Sequence, residues 1–314
     1  MVDAAPFHDN LASAPAGGQI VWRQANDGVR LRLGAWSSKK ARGTVLLFPG
    51  RTEYLEKYGK TVSELTAAGW SVAMIDWRGQ GLSDRLDDDT RLGHVADFID
   101  YQRDTAVLLD WVAELDLPKP HMLLAHSMGG CIGLRALVDG LEVERAVFSA
   151  PMWGIQMPIF ARPLTYMIPP IARFLKKENL FAPGTKPSNY IAETGFADNM
   201  LTSDPETYGW LGEHAAAAPE FSLGGPSVQW VGSATRELDR LFDTAKPQIP
   251  CLTFVGTDEK IVSIEAIERY HIDWPSGALR NVEGARHEMM METPSIRQHF
   301  MESTLGFYAE TFSR

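Results

Sequence analysis

The sequence predicts an α/β protein, a mostly parallel central sheet flanked by helices, interrupted by a mainly helical insertion. Three observations predict it. Up to about residue 150, short apolar runs alternate with segments of helical spacing, the texture of a sheet covered on both faces. That texture returns after residue 250. Between Pro151 and Pro250 it lapses, and this stretch holds 12 of the 19 prolines, twice its proportional share.

The elements follow in order. Residues 1–18 carry neither a basic nor an apolar run and read as a loose leader, not a signal peptide. Ile20 to Trp36 alternates at period two around Asn26-Asp27-Gly28, an opening hairpin. Thr44 to Phe48, Ser71 to Ile75 and His121 to His126 are short apolar runs, suited to strands buried on both faces. Leu55 to Ala68 has helical spacing and meets Gly69, a helix-ending residue. Ala96 to Leu115 is a longer helix, stopped before Pro118 and Pro120. After the insertion come a strand at Cys251 to Gly256, a helix after Ser263, a strand at Ala278 to Glu283 and a closing helix after Pro294. The expected division is a core of 19–150 and 247–314, with a cap of 151–246.

Composition narrows the function. Thirty Lys and Arg against forty Asp and Glu leave a net charge of −10, and no stretch clusters more than a few Lys or Arg of the kind that neutralises a phosphate backbone. Nucleic acid is excluded as a partner. Only Cys131 and Cys251 are present, so there is neither a disulfide framework nor a cysteine zinc knuckle, which fits a reducing, cytoplasmic setting. No apolar run reaches the ~20 residues of a membrane span.

The sharpest chemical signal is Ala125-His126-Ser127-Met128-Gly129-Gly130, at the end of a buried strand and the start of a helix. A serine in so tight a turn is forced into strained backbone angles that lift its hydroxyl out of the sheet, and small residues two positions either side let the turn close. A nucleophilic serine needs an imidazole base, and the imidazole needs a carboxylate to fix its tautomer. Asp258, just past a strand end, and His287, in the loop after the next strand, stand in the order Ser, acid, His that this architecture requires. Asp239 and Asp243 are the alternatives for the acid. Acyl transfer also needs amides aimed at the developing oxyanion. Met128 follows the nucleophile, and Arg51 follows Gly50 in the turn after Phe48.

Three other motifs fail on spacing. Gly59-Lys60-Thr61 lacks the glycine that opens a phosphate loop, having Tyr54 instead. His287-Glu288 has Met291 where a zinc-protease helix needs its second histidine. Gly79-x-Gly81 meets Asp84 where a dinucleotide fingerprint needs a third glycine.

FPGRTEYLEKYGK, DWRGQGLSDR, AHSMGG, VGTDEKIVS and GARHE together resemble the serine-hydrolase branch of the α/β-hydrolase family, and within it the lysophospholipase L2 and monoacylglycerol lipase group. The resemblance runs over most of the chain outside Pro151 to Pro250. It implies a triad of Ser127, Asp258 and His287, oxyanion amides on Arg51 and Met128, and a fold-forming turn at Asp76 to Ser83. It departs from the group at Pro49, where members commonly carry His, and at Ala125, where they commonly carry Gly. Hydrolysis of a single-chain lipid ester, with no metal or organic cofactor, is what it implies for function. An insertion after the sixth strand would then lie over the site as a lid, with Met152, Trp153, Ile155, Met157 and Phe160 as candidates for an acyl-chain wall and the lid as the part that makes transient contact with a membrane surface. A small-ester carboxylesterase, an acyltransferase on the same residues and a ligand-binding receptor with an idle triad are the alternatives.

Overall fold

The computed structural model describes residues 3–312. The first half of the chain holds α1 (Asp9–Ala12), β1 (Gln19–Gln24), β2 (Arg30–Trp36), β3 (Thr44–Phe48), α2 (Gly59–Ala67), β4 (Ser71–Asp76), α3 (Tyr101–Glu114), β5 (His121–His126), α4 (Met128–Val138) and β6 (Arg145–Ser149). Four helices follow: α5 (Arg162–Phe174), α6 (Tyr190–Glu193), α7 (Pro205–Ala217) and α8 (Val228–Asp243). β7 (Cys251–Gly256), α9 (Ile264–His271), β8 (Gly277–Val282) and α10 (Pro294–Ala309) complete the chain. The helices expected from Leu55 and from Ala96 both begin with a 3₁₀ turn, at Leu55–Tyr58 and Phe98–Asp100.

The eight strands form one sheet in the order β1-β2-β4-β3-β5-β6-β7-β8. β1 and β2 pair antiparallel, as does β2 with β4, and every pairing from β4 to β8 is parallel. Strand alternation divides the core into two. Leu46 and Phe48 of β3, Ala73 and Ile75 of β4, and Leu123 and Ala125 of β5 face α3, α4 and α8. Val45, Leu47, Val72, Met74, Met122 and Leu124 face α2 and α10. Both faces of the central strands are therefore sealed, which explains their unbroken apolar runs.

The parallel register lines up the strand ends. Phe48 pairs with Ala125, His126 with Ser149, and Gly256 with Val282. The turns after β3, β5, β7 and β8 consequently emerge along one carboxyl edge, where ligands of open α/β sheets bind.

The segment between β6 and β7 contributes no strand to the sheet. α8 packs into the core through Trp230 and Ala234, and Gly232 takes Pro169 of α5 so closely that a Cβ there would lie 2.4 Å from the proline ring. α5 buries only Pro169 and Ala172. Leu164, Met167, Ile171 and Phe174 of this helix point outward, and Ile168 is half-buried.

The N-terminal residues are not loose. The amide of Ala5 donates to the Ile20 carbonyl and that of Trp22 to the Asp3 carbonyl, so the leader runs beside β1. Ala12 is fully buried against Gly59, where a side chain would collide with the Ala12 carbonyl. Backbone pairing and one buried methyl, which composition does not reveal, tie this segment down.

Candidate active site

Ser127 sits between β5 and α4 with φ 48° and ψ −117°, a backbone conformation that L-residues rarely adopt. Its amide donates to the Ser149 carbonyl at 3.1 Å, and its own carbonyl accepts from Gly130 and Met152, each at 2.8 Å. These bonds over-determine the turn and hold the strain. Gly129 is required by the space: a Cβ there would lie 2.2 Å from the Phe48 carbonyl oxygen. The helix start thus presses onto the exit of β3.

His287 is brought to Ser127 by the loop after β8, its Nε2 lying 2.9 Å from Ser127 Oγ. On its other side, Nδ1 lies 2.7 Å from Oε2 of Glu259. This corrects the expectation of Asp258. The amide of Thr257 bonds the Val282 carbonyl and that of Asp258 bonds the Ala285 carbonyl, each at 3.0 Å, so the exits of β7 and β8 are laced together. Gly256 permits the approach, since a Cβ there would lie 2.0 Å from the Ala285 oxygen. With the chain pinned in this way, Asp258 faces solvent and Glu259 turns inward. Asp239 and Asp243 are remote: Asp239 binds Arg162 and Tyr166 on α5, and Asp243 is exposed.

Glu259 is further held through Oε1, which accepts from the amides of Ile261 and Val262. Burial pushes its pKa up, but the attraction of His287 and these hydrogen bonds win, and the carboxyl titrates below its ordinary value. Burial likewise pushes His287 down, yet the Glu259 carboxylate outweighs it and raises the imidazole above 6.5. Serine, imidazole and carboxylate form a continuous hydrogen-bonded line, the arrangement that can take a proton from Oγ and carry the resulting positive charge.

The turn after β3 is clamped by a second carboxylate that the motif analysis passed over. Glu53 accepts from the amide of Gly50, from the Tyr58 hydroxyl at 2.5 Å and from Lys57 Nζ at 2.7 Å. Burial opposes its charge, but Lys57 and His126 prevail and its pKa falls to about 2. Arg51 is the next residue of this clamped turn. Met128, as the first residue of α4, has no intrahelical acceptor for its N–H. The turn after β3 and the start of α4 both stand at the carboxyl edge.

Glu53, His126 and Glu288 converge closely enough to suit a cation, with potential ligand atoms within 4.8 Å of one another. The Lys57 ammonium already stands among them, 2.7 Å from Glu53 and 2.8 Å from Glu288. Burial pushes His126 down to about 4, which keeps it neutral. The turn at Asp76 to Ser83 is structural: Asp76 accepts from Arg32 Nε and from the amides of Leu55 and Leu82.

Ser127 and His287 open on a cavity of about 620 Å³. Its walls include Tyr54, Tyr190, Leu211, Phe221 and Trp230, together with Met152 and Ile155 of the expected set. The other three candidates lie elsewhere. Trp153 is core, buried against Phe148 and Trp274, with its indole N–H on the Gly130 carbonyl. Met157 lines a separate hollow with Phe242 and Arg269, and Phe160 is 74% exposed. Of the apolar residues after Met152, Ile159, Phe160, Leu164, Met167, Ile171, Phe174 and Leu175 are exposed.

A parallel sheet carrying a serine on a strained strand-to-helix turn, with a histidine delivered from beyond the last strand, defines an α/β-hydrolase. The chain belongs to the family described as serine aminopeptidase, S33, which matches residues 39–294, and lysophospholipases L2 are among its relatives. Lysophospholipase L2 of Escherichia coli (strain K12) is 30% identical over 315 residues, spanning 91% of this chain and 88% of its own. Probable lysophospholipase L2 of Haemophilus influenzae is 27% identical over 269 residues, spanning 85% of this chain and 83% of its own. A soluble variant of monoglyceride lipase from Saccharomyces cerevisiae, solved with a substrate analog, shares the fold with a TM-score of 0.74 at 19% identity, covering 96% and 97% of the two chains. A thermostable carboxyl esterase from Bacillus coagulans does so with a TM-score of 0.76 at 15% identity, covering 94% and 99%.

Proposed function

We propose that this carboxylic-ester hydrolase acts on a single-chain lipid ester, a lysophospholipid or a monoacylglycerol, through an acyl-enzyme on Ser127. The observation that carries the reading is the line Ser127, His287, Glu259 opening on a largely apolar cavity. His287 takes the Oγ proton as Ser127 attacks the ester carbonyl, and Glu259 steadies the imidazolium. The amides of Arg51 and Met128 receive the oxyanion. As the tetrahedral intermediate collapses, the C–O bond to the alcohol breaks and His287 returns the proton to the leaving oxygen. A water deprotonated by the same imidazole then attacks the acyl carbon, and Ser127 leaves with the proton restored.

The homology to lysophospholipases and the apolar cavity support the lipid substrate. Residues 151–246 act as a cap, a role supported by Tyr190, Leu211 and Phe221 reaching the cavity from α6, α7 and the turn after α7. No helix among the described residues is long and apolar enough to cross a membrane. The outward apolar face of α5, with Arg173, Lys176 and Lys177 beside it, supports transient contact of the cap with a lipid surface.

Rates on p-nitrophenyl esters of increasing chain length, together with a fluorophosphonate probe and peptide mapping, test this function. Preference for long over short chains and labelling at Ser127 are expected. Preference for acetate, or an unlabelled Ser127 in folded protein, would overturn it.

A further inference from the structure

Six Lys, Arg, Asp and Glu side chains line the cavity that holds Ser127 and His287, and five of them are ion-paired with one another. Lys57 is shared by Glu53 and Glu288, and Lys186 pairs with Glu193 at 3.0 Å. Arg51 is the sixth, and no carboxylate among the described residues pairs with it. Its guanidinium makes one hydrogen bond to protein, to the Gly224 carbonyl, and lies 5.6 Å from the Trp230 ring centre. Its Nε is buried with no acceptor. A guanidinium offers five donors in a fork matched to two oxygens of one anion, so most of this capacity is unused. Burial without a compensating charge also lowers its pKa to about 10, a cost that an incoming anion would relieve.

We propose that the Arg51 side chain is the receptor for a phosphoryl group on the substrate, so that the enzyme favours a lysophospholipid over a neutral monoacylglycerol. This rests on the lipid-ester reading above and specifies its head group. The position suits the chemistry. In a lysophospholipid the phosphate is one glycerol unit away from the ester carbon, so its receptor belongs beside the oxyanion turn and not along the acyl-chain wall. Arg51 is on that turn, its amide directed to the oxyanion and its side chain to the cap around Gly224 and Trp230.

The test compares wild type, Arg51→Gln and Arg51→Lys on palmitoyl lysophosphatidylglycerol and monopalmitoylglycerol. The readout is the ratio of kcat/KM for the two substrates, from which any common loss at the oxyanion amide divides out. Arg51→Gln is expected to lower the ratio at least about tenfold, the loss of a charge-assisted bidentate contact, and Arg51→Lys is expected to recover part of it. An equal loss on both substrates would mean that Arg51 only pins the Gly224 turn, and would overturn the inference alone. A wild type that cleaves neither ester would overturn the lipid-ester function and this inference with it. As a second arm, an ether-linked lysophospholipid is expected to inhibit wild type more tightly than glycerol 3-phosphate, with the advantage reduced in Arg51→Gln. Equal inhibition by glycerol 3-phosphate would assign the site to free phosphate esters and overturn the lipid assignment.

Discussion

Glu259 Oε2 stands 2.7 Å from His287 Nδ1, while its neighbour Asp258 commits only a backbone amide to this region and leaves its side chain in solvent. The roles of two adjacent acids are thus separated by a single step of backbone direction. Glu259→Gln is expected to keep the fold, read by circular dichroism, and to lower kcat by several orders of magnitude, about 10⁴ for the loss of an orienting carboxylate. Asp258→Asn is expected to change kcat by less than about twofold, as exposed substitutions do. A large effect at Asp258 with a small one at Glu259 would refute the assignment.

The same pair predicts a pH profile. The base must be neutral to accept a proton, and Glu259 raises His287 above 6.5. In wild type, kcat/KM should therefore rise with pH through a midpoint above 6.5. Glu259→Gln removes the raising charge and leaves burial, so the residual activity should show its midpoint at lower pH. An unmoved midpoint would separate Glu259 from the titration.

Backbone strain at Ser127 is measurable as stability. At φ 48° a glycine relaxes what a Cβ opposes, so Ser127→Gly should have a higher Tm than Ser127→Ala while both abolish turnover. The expected gap corresponds to about 1 kcal/mol, a shift of roughly 1–2 °C in a chain of this size. A Tm ranking with alanine above glycine would contradict a strained elbow.

Gly129 tests the approach of α4 to β3. Gly129→Val places side-chain atoms where a Cβ already lies 2.2 Å from the Phe48 oxygen. Loss of about 1–3 kcal/mol in urea unfolding is expected, with loss of fluorophosphonate labelling in the protein that remains folded. Full labelling would show that the oxyanion turn tolerates displacement.

The outward face of α5 can be tested on phosphatidylcholine vesicles, where net charge plays little part. Phe174 is 87% exposed, and burying such a ring is worth about 2 kcal/mol. Phe174→Glu should weaken cosedimentation at least about fivefold while leaving hydrolysis of a short water-soluble ester intact. Equal sedimentation of both proteins would detach this face from lipid contact.

The sheet was legible in the sequence, because short apolar runs such as Thr44 to Phe48 and His121 to His126, bounded by turn residues, suit strands covered on both faces. The sequence also determined the elbow at Ser127 and placed His287 beyond the last strand, since both depend on local spacing at strand ends. Glu259 was one residue away from the acid that spacing suggested. Past the end of β7 the strand's alternation stops, and two adjacent carboxylates differ only in which way a non-local bond turns them. That bond is Asp258 N–H to the Ala285 carbonyl, made possible by Gly256, and it exists only once β7 and β8 lie side by side. Packing in three dimensions likewise chose which apolar residues after Met152 line the cavity, because Pro169 docks on Gly232 of α8 and leaves Leu164, Met167, Ile171 and Phe174 of α5 outward. It also left Arg51 without a counter-charge, since the acids near it in sequence, Glu53 and Glu56, are taken by Lys57 and Arg32. Charge pairing is a property of proximity in three dimensions, and no count of Lys, Arg, Asp and Glu reports it.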